Sequence, residues 1–159
     1  LFHWSFLAPS AIFLAGMPKK ILGDIQVKEK PWGREIWFAH TPEYAGKILE
    51  ITAGHRFSLQ YHKKKRETQL IMQGTVKFTI GKKEDACEEV VLGAGDKVDI
   101  APGIIHRAEA LEDTVIFEVS TPELDDVVKL HDDYGRSGKG NDEKLDAKLA
   151  KKKKSPRKK

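Results

Sequence analysis

A chain of 159 residues, 40% hydrophobic and 33% charged, has the length and composition of one globular domain with a real core. Its single cysteine, Cys87, excludes an internal disulfide framework and fits a reducing, cytoplasmic setting. The net charge of +4 is unevenly spread: from Lys139 onward nine Lys and one Arg stand against Asp142, Glu143 and Asp146, a tail of +7 on a body of −3.

Leu1–Gly16 is apolar but too short to span a bilayer, and it has no basic residue ahead of its hydrophobic run as a signal peptide would. Met17-Pro18-Lys19-Lys20 reads as a more natural start. Residues 1–20 are therefore expected to be an N-terminal extension outside the fold, from an upstream-extended gene reading or an expression remnant, with a cleaved or anchoring segment as the alternative.

Residues 21–137 read as one β domain. Ile21–Lys28 alternates like an edge strand, Pro31-Trp32-Gly33 is a turn, and Glu35–Phe38 is extended, with Trp32 and Trp37 packing on the barrel. In Lys47–Ile51 the residues Lys47, Leu49 and Ile51 share a face; if that face is the interior, Lys47 sits at its end. Phe57, Leu59 and Tyr61 then alternate with Ser58, Gln60 and His62, which places Gln60 and His62 on one face roughly 7 Å apart. A charged turn, Lys63–Arg66, can fold Glu67 back beside His62. Gly74 divides the runs Leu70–Gln73 and Thr75–Ile80; Glu88–Leu92, Lys97–Ile100, Arg107–Ala110 and Thr114–Ser120 follow across Gly- and Asp-rich turns. Asp125–Leu130 adds a last strand, and Asp132–Arg136 folds back over a mouth. Short strands with almost no helical period predict an all-β sandwich or barrel. Residues 138–159 lack a periodic apolar face and read as a disordered Lys-rich tail. No aromatic residue interleaves its lysines, so nucleic acid is not an expected partner, and neither is a membrane.

An imidazole, an amide oxygen and a carboxylate suit a borderline divalent ion such as Zn²⁺, Mn²⁺ or Fe²⁺. The fourth donor expected is His106, which opens a strand after the Pro102-Gly103 turn in the segment beginning Gly95-Asp96.

Together these segments resemble the two motifs of the cupin family: a Gly, a His-x-His pair, a Glu and a closing Gly (Gly54, Gln60, His62, Glu67, Gly74), then Gly-Asp, a Pro-x-Gly-like turn and His106. Gln60 stands where that family has its first histidine, and the turn reads Pro102-Gly103 after Ala101. Ser58-Leu59-Gln60-x-His62 with Glu67, Lys30-Pro31-Trp32-Gly33 upstream and Asp125–Arg136 downstream are similar to the sugar-isomerase domain of type II mannose-6-phosphate isomerases, over about residues 27–136. That family has a histidine and an arginine where Lys64 and Lys65 stand. The resemblance implies a jelly-roll double-stranded β-helix, a divalent metal on Gln60, His62, Glu67 and His106, and isomerisation of mannose 6-phosphate to fructose 6-phosphate. It also implies a homodimer paired through sheet edges.

The residues do not single out the general base; Lys47, Glu118 and Asp126 are candidates. Ser58, Lys65 and Arg136 are candidates for substrate contacts, with Arg136 either gripping phosphate or pairing with Asp132 or Asp133. His3, His40, His55 and His131 are expected to be ordinary surface or packing residues. Two further readings stay open. One is a metal cupin of another activity, an epimerase or an oxygenase; the other is a non-catalytic sugar-binding module, since the type II enzymes carry their cupin beside a nucleotidyltransferase domain.

Overall fold

In a computed structural model, which describes residues 24–138 and 140–154, the chain forms two antiparallel sheets. One runs β1 (Gln26–Lys30), β2 (Gly33–His40), β3 (Ala45–Ile51), β10 (Thr114–Ser120), β5 (Glu67–Gln73) and β8 (Lys97–Ile100) in spatial order. The other runs β11 (Val127–His131), β4 (Leu59–His62), β9 (Ile105–Ala110), β6 (Thr75–Gly81) and β7 (Glu88–Gly93). Alternation sets the inward faces: Leu49, Ile71 and Ile116 of the first sheet join Val76, Phe78 and Ala108 of the second in one buried cluster, closed at an end by Trp32 and Phe57. This is the jelly roll that the family resemblance implies.

Two glycines are required by the backbone at places that matter to the site. Gly74 turns β5 into β6 with φ +84°, and a Cβ there would lie 2.6 Å from the Asp113 carbonyl oxygen. Gly103, with φ +80°, directs its N–H to the His62 carbonyl at 2.7 Å, which ties the second motif's turn to the end of β4.

The expectation of a structureless tail from residue 138 is corrected over its first part. Glu143–Lys154 is an α-helix, α1. Asp142 caps it by accepting from the Leu145 N–H at 3.0 Å. The helix docks on β1 through Asp146 and Ala150, one turn apart and both buried. Its period was hidden because the central buried residue is a carboxylate. Residues 1–23, 139 and 155–159, including the N-terminal extension and the end of the tail, lie outside the described residues. Among the described residues no helix is long and apolar enough to cross a membrane.

Candidate functional site

Along the inner face of the six-stranded sheet, cross-strand pairing lines up Leu49, Ile116 and Ile71 in one row. One step further along the same strands the row is Lys47, Glu118 and Gln69, and Glu67 lies two residues beyond Gln69 on β5. All four of these polar side chains are buried. The opposite sheet brings His62, at the end of β4, and His106, near the start of β9, against Glu67.

His62 Nε2 lies 3.7 Å from Glu67 Oε2, and His106 Nε2 lies 3.0 Å from Glu67 Oε1. One ligand atom from each of the three falls within 4.8 Å of the others. The remaining ring nitrogens are fixed by backbone: His62 Nδ1–H donates to the Asp126 carbonyl at 2.7 Å and His106 Nδ1–H to the Ile104 carbonyl at 3.0 Å. Both Nε2 lone pairs are thereby aimed inward, as outer hydrogen bonds do for metal-ligating histidines. Burial, reinforced by the Lys65 ammonium, lowers the His62 pKa to about 4, so the ring is neutral at neutral pH. Glu67 is held well below the usual carboxylate range, because Lys65 and the two histidines outweigh the burial that would raise it.

His62 Nε2 and His106 Nε2 are buried atoms without a hydrogen-bond partner, while Glu67 Oε2 has the Lys65 ammonium against it. A carboxylate oxygen and an imidazole lone pair are both acceptors, so their approach to 3.0 Å is relieved either by a proton on His106 Nε2 or by a cation held between them. Two nitrogens and a carboxylate fit a borderline divalent ion. Gln60 is the cross-strand partner of His106 and faces the same cavity, its amide oxygen accepting from Ser58 Oγ at 2.8 Å.

The cavity behind these groups has a volume of about 60 Å³. Its wall is an alternating chain of acids and bases. Lys65 bridges Glu67 and, at 3.2 Å, Glu118; Lys47 lies 3.7 Å from Glu118 and 3.8 Å from Glu35; Lys30 lies 3.5 Å from Glu35 and 2.9 Å from Asp146. The chain ends in Arg136, which grips both Asp146 and Asp132. Burial alone would raise the Glu35 carboxyl; Lys47, Lys30 and a 2.8 Å bond from Trp37 Nε1 bring it down to about 2. Lys65 stays charged for the same reason, its two carboxylates outweighing burial.

Of the candidates named from sequence, Lys47, Ser58, Gln60, His62, Lys65, Glu118 and Arg136 line this cavity, and Glu67 and His106 adjoin it. Asp126 does not line it. Its carboxylate accepts from the backbone N–H groups of Lys64 and Lys65, so it clamps the turn after β4. The Arg136 guanidinium is forked onto Asp132 at 2.6–3.1 Å and bonds Asp146 at 2.9 Å, so with α1 docked these carboxylates occupy it. Asp133 pairs instead with Arg56. His40, His55 and His131 bond Pro122 O, Tyr134 Oη and Glu84, away from the cavity.

Five polar members of the wall were not anticipated: Lys30, Glu35, Gln69, Lys129 and Asn141. Gln69 had a readable signal, since it is in phase with Glu67 on a strand whose next inward residue is Ile71. Glu35 and Lys30 had none: they pair with each other across the turn between β1 and β2, but the partners that set them in the wall, Lys47 and Asp146, lie further along the chain.

The family described as mannose-6-phosphate isomerase C-terminal matches residues 23–132. Mannose-1-phosphate guanylyltransferases of Escherichia coli and Klebsiella pneumoniae are each 30% identical over 112 residues, 67% of this chain and 23% of theirs. The chain thus spans under a quarter of the length of these curated relatives. Among solved structures, KdgF from Halomonas sp. superposes with a TM-score of 0.55 at 23% identity, over 65% of this chain and 90% of KdgF. Bacillus subtilis oxalate decarboxylase does so with a TM-score of 0.59 at 18% identity, over 67% of this chain and 30% of the decarboxylase. These two likenesses concern the fold.

Proposed function

The chain belongs to the mannose-6-phosphate isomerase C-terminal family of cupins, and we propose that it is a metal-dependent aldose–ketose isomerase interconverting mannose 6-phosphate and fructose 6-phosphate. The observation that carries this reading is the juxtaposition of two things in one cavity. Inward-aimed acceptors on His62, Glu67 and His106 converge beside a second carboxylate, Glu118, seated between two ammonium groups. A divalent ion held by the three acceptors, with Gln60 as a further oxygen donor, supplies Lewis-acid polarisation of a carbonyl.

The chain's own residues have the remaining tasks. Aldose–ketose exchange moves one proton between adjacent carbons, so it needs one group that takes the proton and returns it. Glu118 faces the cavity, as Glu35 does, and lies nearer the three acceptors through Lys65, so we give it that task. Lys47 and Lys65 flank it and provide hydrogen-bond donors for an oxygen that gains negative charge during the transfer. Ser58 holds the Gln60 amide in position.

The test is to incubate metal-loaded protein with mannose 6-phosphate in deuterated water. Fructose 6-phosphate carrying some carbon-bound deuterium is expected, because a carboxylate base exchanges its proton with solvent. Lys47→Met is expected to lower turnover without lowering metal content. Conversion of unphosphorylated aldoses alone would move the protein to a free-sugar isomerase. Binding of a sugar phosphate with no conversion would make it a non-catalytic module.

A further inference from the structure

The centre of α1's buried stripe is Asp146, 2% exposed, where a docking helix ordinarily presents an apolar side chain. Around it stand three buried cations that all line the cavity: Lys30, Lys129 and Arg136. Lys30 Nζ bonds Asp146 Oδ2 at 2.9 Å and Arg136 bonds Asp146 Oδ1 at 2.9 Å, so the two carboxylate oxygens are divided between two cations. Lys129 Nζ donates to the Gly140 carbonyl at 2.6 Å, in the connection leading to α1. Burial and the neighbouring positive charges of Arg136 and Lys30 lower its pKa. Three buried cations gathered on one part of the cavity wall suit an anion with more oxygens than a carboxylate has.

Beyond Asp146, α1 is tied to β1 by an ion pair between Lys28 and the exposed Glu143 and by little apolar packing. It is twelve residues long and lysine-rich, with Ala150 its one other buried side chain among those described. A helix of that length and composition is marginal without its anchors. Fully buried ion pairs are also a poor source of stability compared with apolar packing. The connection from Arg136 passes through Gly138, at φ +68°, and Gly140. With α1 docked, the cavity holds only a handful of water molecules, and a hexose phosphate is several times larger.

We propose that Lys30, Lys129 and Arg136 form a phosphate-binding subsite in the cavity wall, and that Asp146 is its internal occupant, displaced with α1 when a phosphorylated ligand enters. The identity of the ligand as a sugar phosphate rests on the isomerase reading; the anion site itself does not. Docked α1 then acts as a lid that lowers apparent affinity by the fraction of molecules held closed.

The experiment measures binding of inorganic phosphate to the full chain by thermal melting and titration calorimetry, with chloride at matched ionic strength as the control. Asp146→Asn keeps the size and removes the competing charge. It is expected to bind phosphate about tenfold or more tightly than the wild type, with a phosphate-dependent rise in Tm that Lys30→Met in the same chain removes. Lys148→Ala, on the exposed side of α1, is expected to bind phosphate as the wild type does. Equal phosphate affinity in wild type and Asp146→Asn overturns the proposal, and so does a gain that Lys30→Met leaves intact. Should Asp146→Asn not fold, hydrogen exchange on the wild type decides. Amides of residues 145–150 exchange faster at saturating phosphate if the lid opens, and unchanged exchange overturns it. Turnover does not enter either readout, so failure of the isomerase reading and failure of the lid are told apart.

Discussion

The inner face of one sheet carries two rows of side chains that are neighbours in space and opposites in chemistry. Leu49, Ile116 and Ile71 form one, and Lys47, Glu118 and Gln69 form the next, on the same three strands and in the same register. Backbone geometry is common to both. The apolar row is stabilised by removal of surface from water and by close packing, and it needs no partner of particular identity. The polar row is held by an alternating series of charges in which each member is tolerable only because its neighbours are charged oppositely. The barrel thus separates its labour along the strands: one end closes the fold, and the other keeps ionisable groups dry, oriented and ready for an ion or a ligand.

The comparison breaks most sharply at Glu118. Glu118→Leu leaves the ammonium groups of Lys47 and Lys65 short of a buried carboxylate, and a loss of about 3–5 kcal/mol is expected in denaturant unfolding. Acid is expected to act on the polar end and to leave the apolar row untouched. Glu35 is lowered from 4.5 to about 2, so its contribution is present above 4.5 and is lost as pH falls through that window. His62 is lowered from 6.5 to about 4; the unfolded chain takes up its proton first, so stability also falls as pH drops from 6.5 toward 4. Melting the chelated protein across pH should show both declines, and Glu35→Gln should flatten the lower one. At the apolar row, Ile116→Val trims one methylene from a fully buried side chain, for which about 0.5–1.5 kcal/mol is expected with no change in pH dependence. The smallest effect is expected from Lys47→Met combined with Glu118→Leu, which removes an acid and a base together. Stability within about 1 kcal/mol of wild type, with activity abolished, would show that the pair serves chemistry and not folding.

How far the sequence could be read follows from the same contrast. Strand alternation marks out Lys47, Leu49 and Ile51 as one face, and the structure buries all three. The motif positions His62, Glu67 and His106 do converge, because a turn between β4 and β5 and a Pro-Gly turn before β9 are local features with local signals. What stayed hidden is what depends on partners distant in the chain. Asp126 looks like a free carboxylate until the backbone of the turn at Lys64 and Lys65 is seen to occupy it. Asp146 sits in a Lys-rich run whose composition argues against order; the reason it is ordered is a lysine 116 positions earlier. Arg136 left two options in the sequence, and the structure takes the pair with Asp132 while adding Asp146.

The most direct test of the central claim, that the polar end of the barrel is built around a cation, is metal content. Elemental analysis of the chelated protein reloaded with Mn²⁺ or Zn²⁺ and desalted should return about one ion per chain. His106→Ala should return close to none, while Gln60→His should retain the ion because imidazole is an equally competent donor. Equal metal in wild type and His106→Ala would contradict the account.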